Sequence, residues 1–171
     1  HDYTGSLIER RGYALKVEYC ADRVWTAVQW LDRHLLEPII CESMVVNWTA
    51  GWAGTVDLMC LLRGFEGISE KAVWQIDFKT SKAPYAEHRV QAATYRHAES
   101  VILRKYTGEI AVQPYPQPDI LANVYVNEEG VQVFRWGGKD DLFGTDLSIE
   151  DAYNAFLYMM AVHYYFARTK S

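Results

Sequence analysis

Cysteine is scarce: Cys20, Cys41 and Cys60 lie far apart and form no Cys-x-x-Cys pair. A zinc site or iron–sulfur cluster built from cysteines is therefore not expected. A sparse, odd set without a disulfide framework points to a reducing, cytoplasmic setting. Long apolar runs are also missing. No stretch approaches the roughly 20 residues that span a bilayer. The polar, charged segment His1 to Gly12 lacks the pattern of a signal peptide. Positive charge is short, with 17 Lys and Arg against 22 Asp and Glu and a net charge of −5. That balance counts against a broad basic surface that coats nucleic acid. It leaves room for a local grip, because a metal site made of carboxylates adds negative charge that its cation offsets.

What is present is apolar and aromatic. Half of the 171 residues are apolar and 14% are aromatic, which suits one globular domain, residues 1–171, with a sizeable core. From Ala14 to about Leu36, Val17, Cys20, Val24, Ala27, Val28, Leu31 and Leu35 recur at helical spacing, and Pro38 ends the pattern. Pro38 to Val46 reads as a strand with Glu42 as its lone charge, Asn47 to Gly51 as a turn, and Trp52 to Leu62 as a second strand. Arg63 to Lys71 is a polar hairpin loop, and Ala72 to Thr80 is a third strand, broken near Pro84. Glu87 to about Lys105 is expected to be helical, with Val90, Ala93, Thr94, Ala98, Val101 and Ile102 near one face. Gln113 to Pro118 is a proline-rich extended crossing, Ile120–Asn127 and Gly130–Trp136 are paired strands, and Gly137 to Asp146 is a loop. Ser148 and Asp151 have the spacing of a capping box for a last helix over Ile149 to about Ala167, whose aromatics are expected in the core. The order is helix, three strands, helix, two strands, helix: an α/β fold with a central mixed sheet flanked by helices.

Two acids conflict with simple packing. Asp57 interrupts Val56-Asp57-Leu58-Met59-Cys60, and Asp77 interrupts Gln75-Ile76-Asp77-Phe78. Asp is depleted in strands and seldom buried without a partner. Two such carboxylates on neighbouring strands raise each other's pKa unless a cation lies between them. Lys79 follows Asp77 at i+2 and shares its face, and Asp57 can join them across the hairpin. Two carboxylates and an ammonium on one face suit metal-assisted phosphodiester hydrolysis. Oxygen ligands fit Mg²⁺ or Mn²⁺, the Phe78 carbonyl is a further hard donor, and Lys79 can orient water and stabilise the transition state. The plain alternative is a salt bridge between Lys79 and one aspartate at a sheet end.

Gly54-Thr55-Val56-Asp57, then Ile76-Asp77-Phe78-Lys79-Thr80-Ser81-Lys82, then Gln91-Ala92-Ala93-Thr94-Tyr95 resemble the RecB-like branch of the PD-(D/E)xK nucleases, with its G-x-x-D, D-x-K-T and Q-x-x-x-Y motifs. The likeness is greatest to phage-type exonucleases similar to the CRISPR-associated nucleases of that branch. It implies a restriction-endonuclease-like core and a Mg²⁺- or Mn²⁺-dependent deoxyribonuclease, with Asp57, Asp77, Lys79 and Gln91 as its catalytic set. Asp57, Asp77 and the Phe78 carbonyl would hold metal, and Gln91 with Tyr95 would support the site. The resemblance also implies an upstream glutamate and a histidine as further ligands. Glu42 and His1 are the matching residues, although Glu42 can equally be an edge charge and His1 a tag remnant. If His1 matches, the first helix has lost its N-terminal half. The iron–sulfur cysteines of the CRISPR-associated relatives have no counterpart, so no cluster is expected. Lys82, Arg89 and Arg96 are candidates to hold DNA phosphates, and Tyr95 either stacks on DNA or packs internally. His34, His88, His97 and His163 lack mutual metal-ligand spacing and receive no role. The implied partners are DNA strands or ends and a helicase or recombination protein. The competing reading is a nuclease-fold module that binds DNA or docks on a helicase without cutting.

Overall fold

Ala27, Trp30 and Leu31 form the buried stripe of the first described helix, α1 (Ala21–His34), in the computed structural model, which describes residues 21–81, 84–104, 107–136 and 148–168. The expected start of that helix, Ala14 to Cys20, lies outside the described residues, as do His1, Lys82, Lys105 and the loop Gly137 to Asp146. α1 stops at His34, sooner than expected, because Leu35 already pairs with Leu62 in the ladder. The strands are β1 (Leu35–Asn47), β2 (Trp52–Leu62), β3 (Val73–Lys79), β4 (Ser100–Arg104), β5 (Ile110–Pro114), β6 (Ile120–Asn127) and β7 (Gly130–Trp136). They form one mixed sheet of order β5-β4-β1-β2-β3-β6-β7, in which only the β3–β6 pairing is parallel. The helices α2 (Ala86–Arg96) and α3 (Ile149–Arg168) complete the described elements. No helix among the described residues is long and apolar enough to cross a membrane.

Each face of the sheet has its own core. Under α1, Ala27, Trp30 and Leu31 meet Leu58, Cys60, Leu62, Trp74, Ile76 and Val124. Under α2 and α3, Val45, Val56, Met59, Val101 and Tyr115 meet Tyr95, Tyr153, Phe156 and Met160. β6 is buried from Leu121 to Val126, as a strand with parallel pairing and covered faces requires.

Strict strand alternation would put Val56 and Met59 on opposite faces, yet both join the α2 and α3 core. The alternation slips by one residue around Asp57. The adjacent strand compensates between its pairs Cys41–Leu58 and Ser43–Val56, where Glu42 takes a φ of 42°. A non-glycine residue in that left-handed region carries backbone strain, a feature that concentrates at functional sites.

The helix expected over Glu87 to Lys105 is not one helix. α2 ends at Arg96, and Ser100–Arg104 is β4, paired with Met44–Val46 of β1. A short apolar run such as Val101-Ile102-Leu103 fits either element by pattern, and the open edge of β1 decides it. The sheet therefore gains β4 and β5, and the proline-rich crossing starts as the end of edge strand β5. The capping box forms as its spacing predicts: Asp151 N–H donates to Ser148 Oγ at 3.1 Å, and Ser148 N–H donates to Asp151 Oδ2 at 2.8 Å. The last helix is only half core. Ala152, Tyr153, Phe156 and Met160 pack inward, whereas Tyr158, Met159, Val162, Tyr164, Tyr165 and Phe166 are exposed. A helix of 20 residues is about 30 Å long. Its residues from Ala161 to Ala167 are all exposed, beyond the reach of the sheet and α2.

Candidate active site

The β2–β3 ladder closes with Leu58 opposite Ile76, so the next register step puts Asp57 opposite Asp77. The strands part there. Phe78 N–H donates to Asp57 Oδ2 at 2.8 Å instead of continuing the ladder. On the other side Asp77 pairs with Asn123 of β6, whose Nδ2 donates to Asp77 Oδ2 at 2.9 Å. Trp136 Nε1 in turn donates to Asn123 Oδ1. Lys79 Nζ stands 2.5 Å from the same Asp77 oxygen and donates to Gln91 Oε1 at 2.8 Å. Gln91 Nε2 donates to the Tyr95 hydroxyl at 3.2 Å.

The brace ends on a glycine for a steric reason. A Cβ added at Gly54 would lie 2.5 Å from Tyr95 Cε1, well inside contact distance. The Tyr95 ring thus rests on the Gly54 backbone, and the chain Gly54–Tyr95–Gln91–Lys79–Asp77 joins the three motif segments. Two further polar residues fix α2 to the sheet: buried Gln75 donates from Nε2 to the Ala92 carbonyl at 3.0 Å and accepts from the Tyr115 hydroxyl at 3.0 Å.

Both acids are buried, at 8% exposure for Asp57 and 5% for Asp77. Burial first, and then the Asp77 charge, push the Asp57 carboxyl from 3.8 up to about 6, against the opposing pull of the Phe78 N–H and Lys79. A divalent cation between the acids would reverse that shift, since it replaces repulsion by attraction. The carboxylates of Asp57 and Asp77 offer hard oxygen donors, beside which the Phe78 carbonyl is the expected third. That set fits Mg²⁺ or Mn²⁺, which need one or two carboxylates and keep several waters. Among the described residues, no three His, Cys, Asp or Glu side chains gather into a metal-sized group. Glu42 and Asp57 both fall between the pairs Cys41–Leu58 and Ser43–Val56, but Glu42 does not complete such a group. His1 lies outside the described residues.

The expected phosphate contacts divide. Lys82 is outside the described residues. Arg89 is 6% exposed, which leaves little of it open to a DNA phosphate and excludes a solvated surface cation. Its position on α2, one step from His88, turns it away from Lys79 and toward α3, where its charge acts on Asp151. Arg96 lines a separate surface hollow with His97, Glu99, Tyr115 and Glu150. Tyr95 is half-buried in the core and bonded to Gln91, so its placement is that of a brace.

Sequence reasoning missed Asn123, Gln75 and the His88–Tyr125 pair. Asn123 had a signal, as the lone polar residue between Ile120 and Val126. His88 had none, because its neighbour Tyr125 comes from a strand 37 residues away. Compared with protein-family models and with curated proteins, the chain matches none.

Proposed function

We propose that this chain is a Mg²⁺- or Mn²⁺-dependent deoxyribonuclease with a restriction-endonuclease-like core of the PD-(D/E)xK type, in its RecB-like branch. The observation that carries the reading is the juxtaposition of Asp57, Asp77 and Lys79 on the face under α2, with Lys79 braced by Gln91. A divalent ion held by Asp57, Asp77 and the Phe78 carbonyl would supply Lewis acidity and charge neutralisation at the phosphate. The chain's own residues do the rest. Lys79 orients the attacking water and stabilises the charge that grows on the phosphate oxygens as the new P–O bond forms and the ester P–O bond breaks. Gln91 holds the Lys79 ammonium in place, and Asn123 holds the Asp77 carboxylate. The substrate is DNA, as single strands or ends, in recombination, repair or phage DNA processing in the cytoplasm.

The test is incubation of labelled single-stranded DNA with Mn²⁺ or Mg²⁺, with EDTA, and with Asp77→Ala. Metal-dependent cleavage that the variant lacks is expected. No cleavage with either metal, by a chain extended upstream of His1, rejects the enzyme. The exposed aromatics of α3 favour a second reading, a non-cleaving module that docks on a helicase. Cleavage in the same assay rejects it.

A further inference from the structure

The His88 imidazole stands beside the proposed site with one nitrogen committed and the other not. Tyr125 pairs with Lys79 across the parallel β3–β6 ladder, so the two side chains share a face. His88 precedes Gln91 by three positions, one turn of α2. Gln91 lies over Lys79 and His88 over Tyr125, at 2.8 Å and 2.6 Å. The imidazole lies close enough to Lys79 and Asp77 to sense both charges.

The hydrogen bonds favour one tautomer. The Tyr85 backbone N–H can only donate, and it donates to His88 Nδ1 at 3.3 Å. With Nδ1 unprotonated, the Tyr125 hydroxyl, 2.6 Å away, is the donor to it. Burial raises the Tyr125 pKa, which keeps that hydroxyl protonated. In this tautomer the His88 proton is on Nε2, which makes no hydrogen bond among the described residues. A structural role for this half-buried ring needs Nδ1 alone. A fixed N–H donor beside a lysine ammonium suits the non-bridging oxygens of a phosphodiester.

We propose that His88 is a substrate-contacting residue whose Nε2–H donates to a non-bridging phosphate oxygen of the DNA strand held at Lys79. The assignment rests on the nuclease reading for the identity of the ligand, and its test does not require cleavage.

Two variants separate the roles of the ring. His88→Phe keeps its shape and removes both nitrogens, and His88→Gln supplies an amide that can accept from Tyr125 and donate to phosphate. Binding of a labelled single-stranded oligonucleotide in EDTA should weaken about 10- to 100-fold in the Phe variant, the range for one hydrogen bond to a charged group. The Gln variant should recover most of that loss. In protein with ¹⁵N-labelled histidine, His88 should show the Nε2–H tautomer, and the Nε2 signal should shift on addition of thymidine 5′-monophosphate. Unchanged oligonucleotide affinity in a folded Phe variant overturns the proposal, as does an Nδ1–H tautomer or a His88 signal indifferent to the nucleotide. If the Phe variant does not fold, the Gln variant and the nitrogen spectrum decide. A chain extended upstream of His1 that binds the oligonucleotide through His88 but cleaves nothing with Mn²⁺ or Mg²⁺ rejects the nuclease and leaves this contact standing.

Discussion

Asp57→Asn removes one charge from a buried pair of like charges, and the consequence for stability can be worked out. Burial and Asp77 raise the folded-state pKa of Asp57 from 3.8 to about 6. The folded protein thus binds this proton more tightly than the unfolded chain does. Stability falls as pH rises from about 4 through about 6, and the whole penalty is present above that. A shift of roughly two units corresponds to about 3 kcal/mol. Asparagine resembles the protonated acid and can still accept the Phe78 N–H, so the variant escapes the penalty. In EDTA near neutral pH it should be more stable than wild type by about 3 kcal/mol, or roughly 6–12 °C in Tm for a domain of this size. Below pH 4 the two proteins should converge. Urea unfolding across this pH range measures the difference. Mn²⁺ should then stabilise wild type by mass action and leave the variant unmoved. A variant that is equally or less stable than wild type at neutral pH would refute the claim that Asp57 is held ionised at a cost a cation relieves.

Lys79→Met should lower the cleavage rate about 100- to 1,000-fold, the range for losing one group that stabilises developing oxyanion charge. Mn²⁺ affinity, read by calorimetry, should hold or rise, because the variant loses the cation beside Asp77. A weaker Mn²⁺ site would mean that Lys79 organises the acids instead of acting on the water. Gly54→Ala forces a methyl group to 2.5 Å from the Tyr95 ring. It should destabilise the fold by about 1–3 kcal/mol, as overpacking does. It should also reduce cleavage through the displaced Gln91 brace. Wild-type behaviour in unfolding and in turnover would show that Tyr95 does not support the site.

Much of the candidate site was legible in the sequence because its residues break local rules. Asp57 and Asp77 stand out as acids in apolar strands, and the i+2 spacing of Asp77 and Lys79 fixes a shared face. Gln91 and Tyr95 are one helical turn apart, so their contact follows from α2 alone. The capping box at Ser148 is local in the same way.

Non-local choices were not legible. The periodicity of Ser100–Arg104 does not separate helix from strand, and the free edge of β1 makes it a strand. Arg89 looks like any surface cation in the sequence, but the fold buries it, near enough to Asp151 of α3 for its charge to act there. The aromatics of α3 share one composition along the helix, and only the extent of the sheet and α2 decides which half is buried. Local pattern thus determined that acids and an amine would line one strand face. Tertiary structure decided which acids meet, the backbone turn at Glu42 beside them, and the pairing of His88 with Tyr125, because contacts between distant segments depend on strand register and helix docking, which no window of the chain contains.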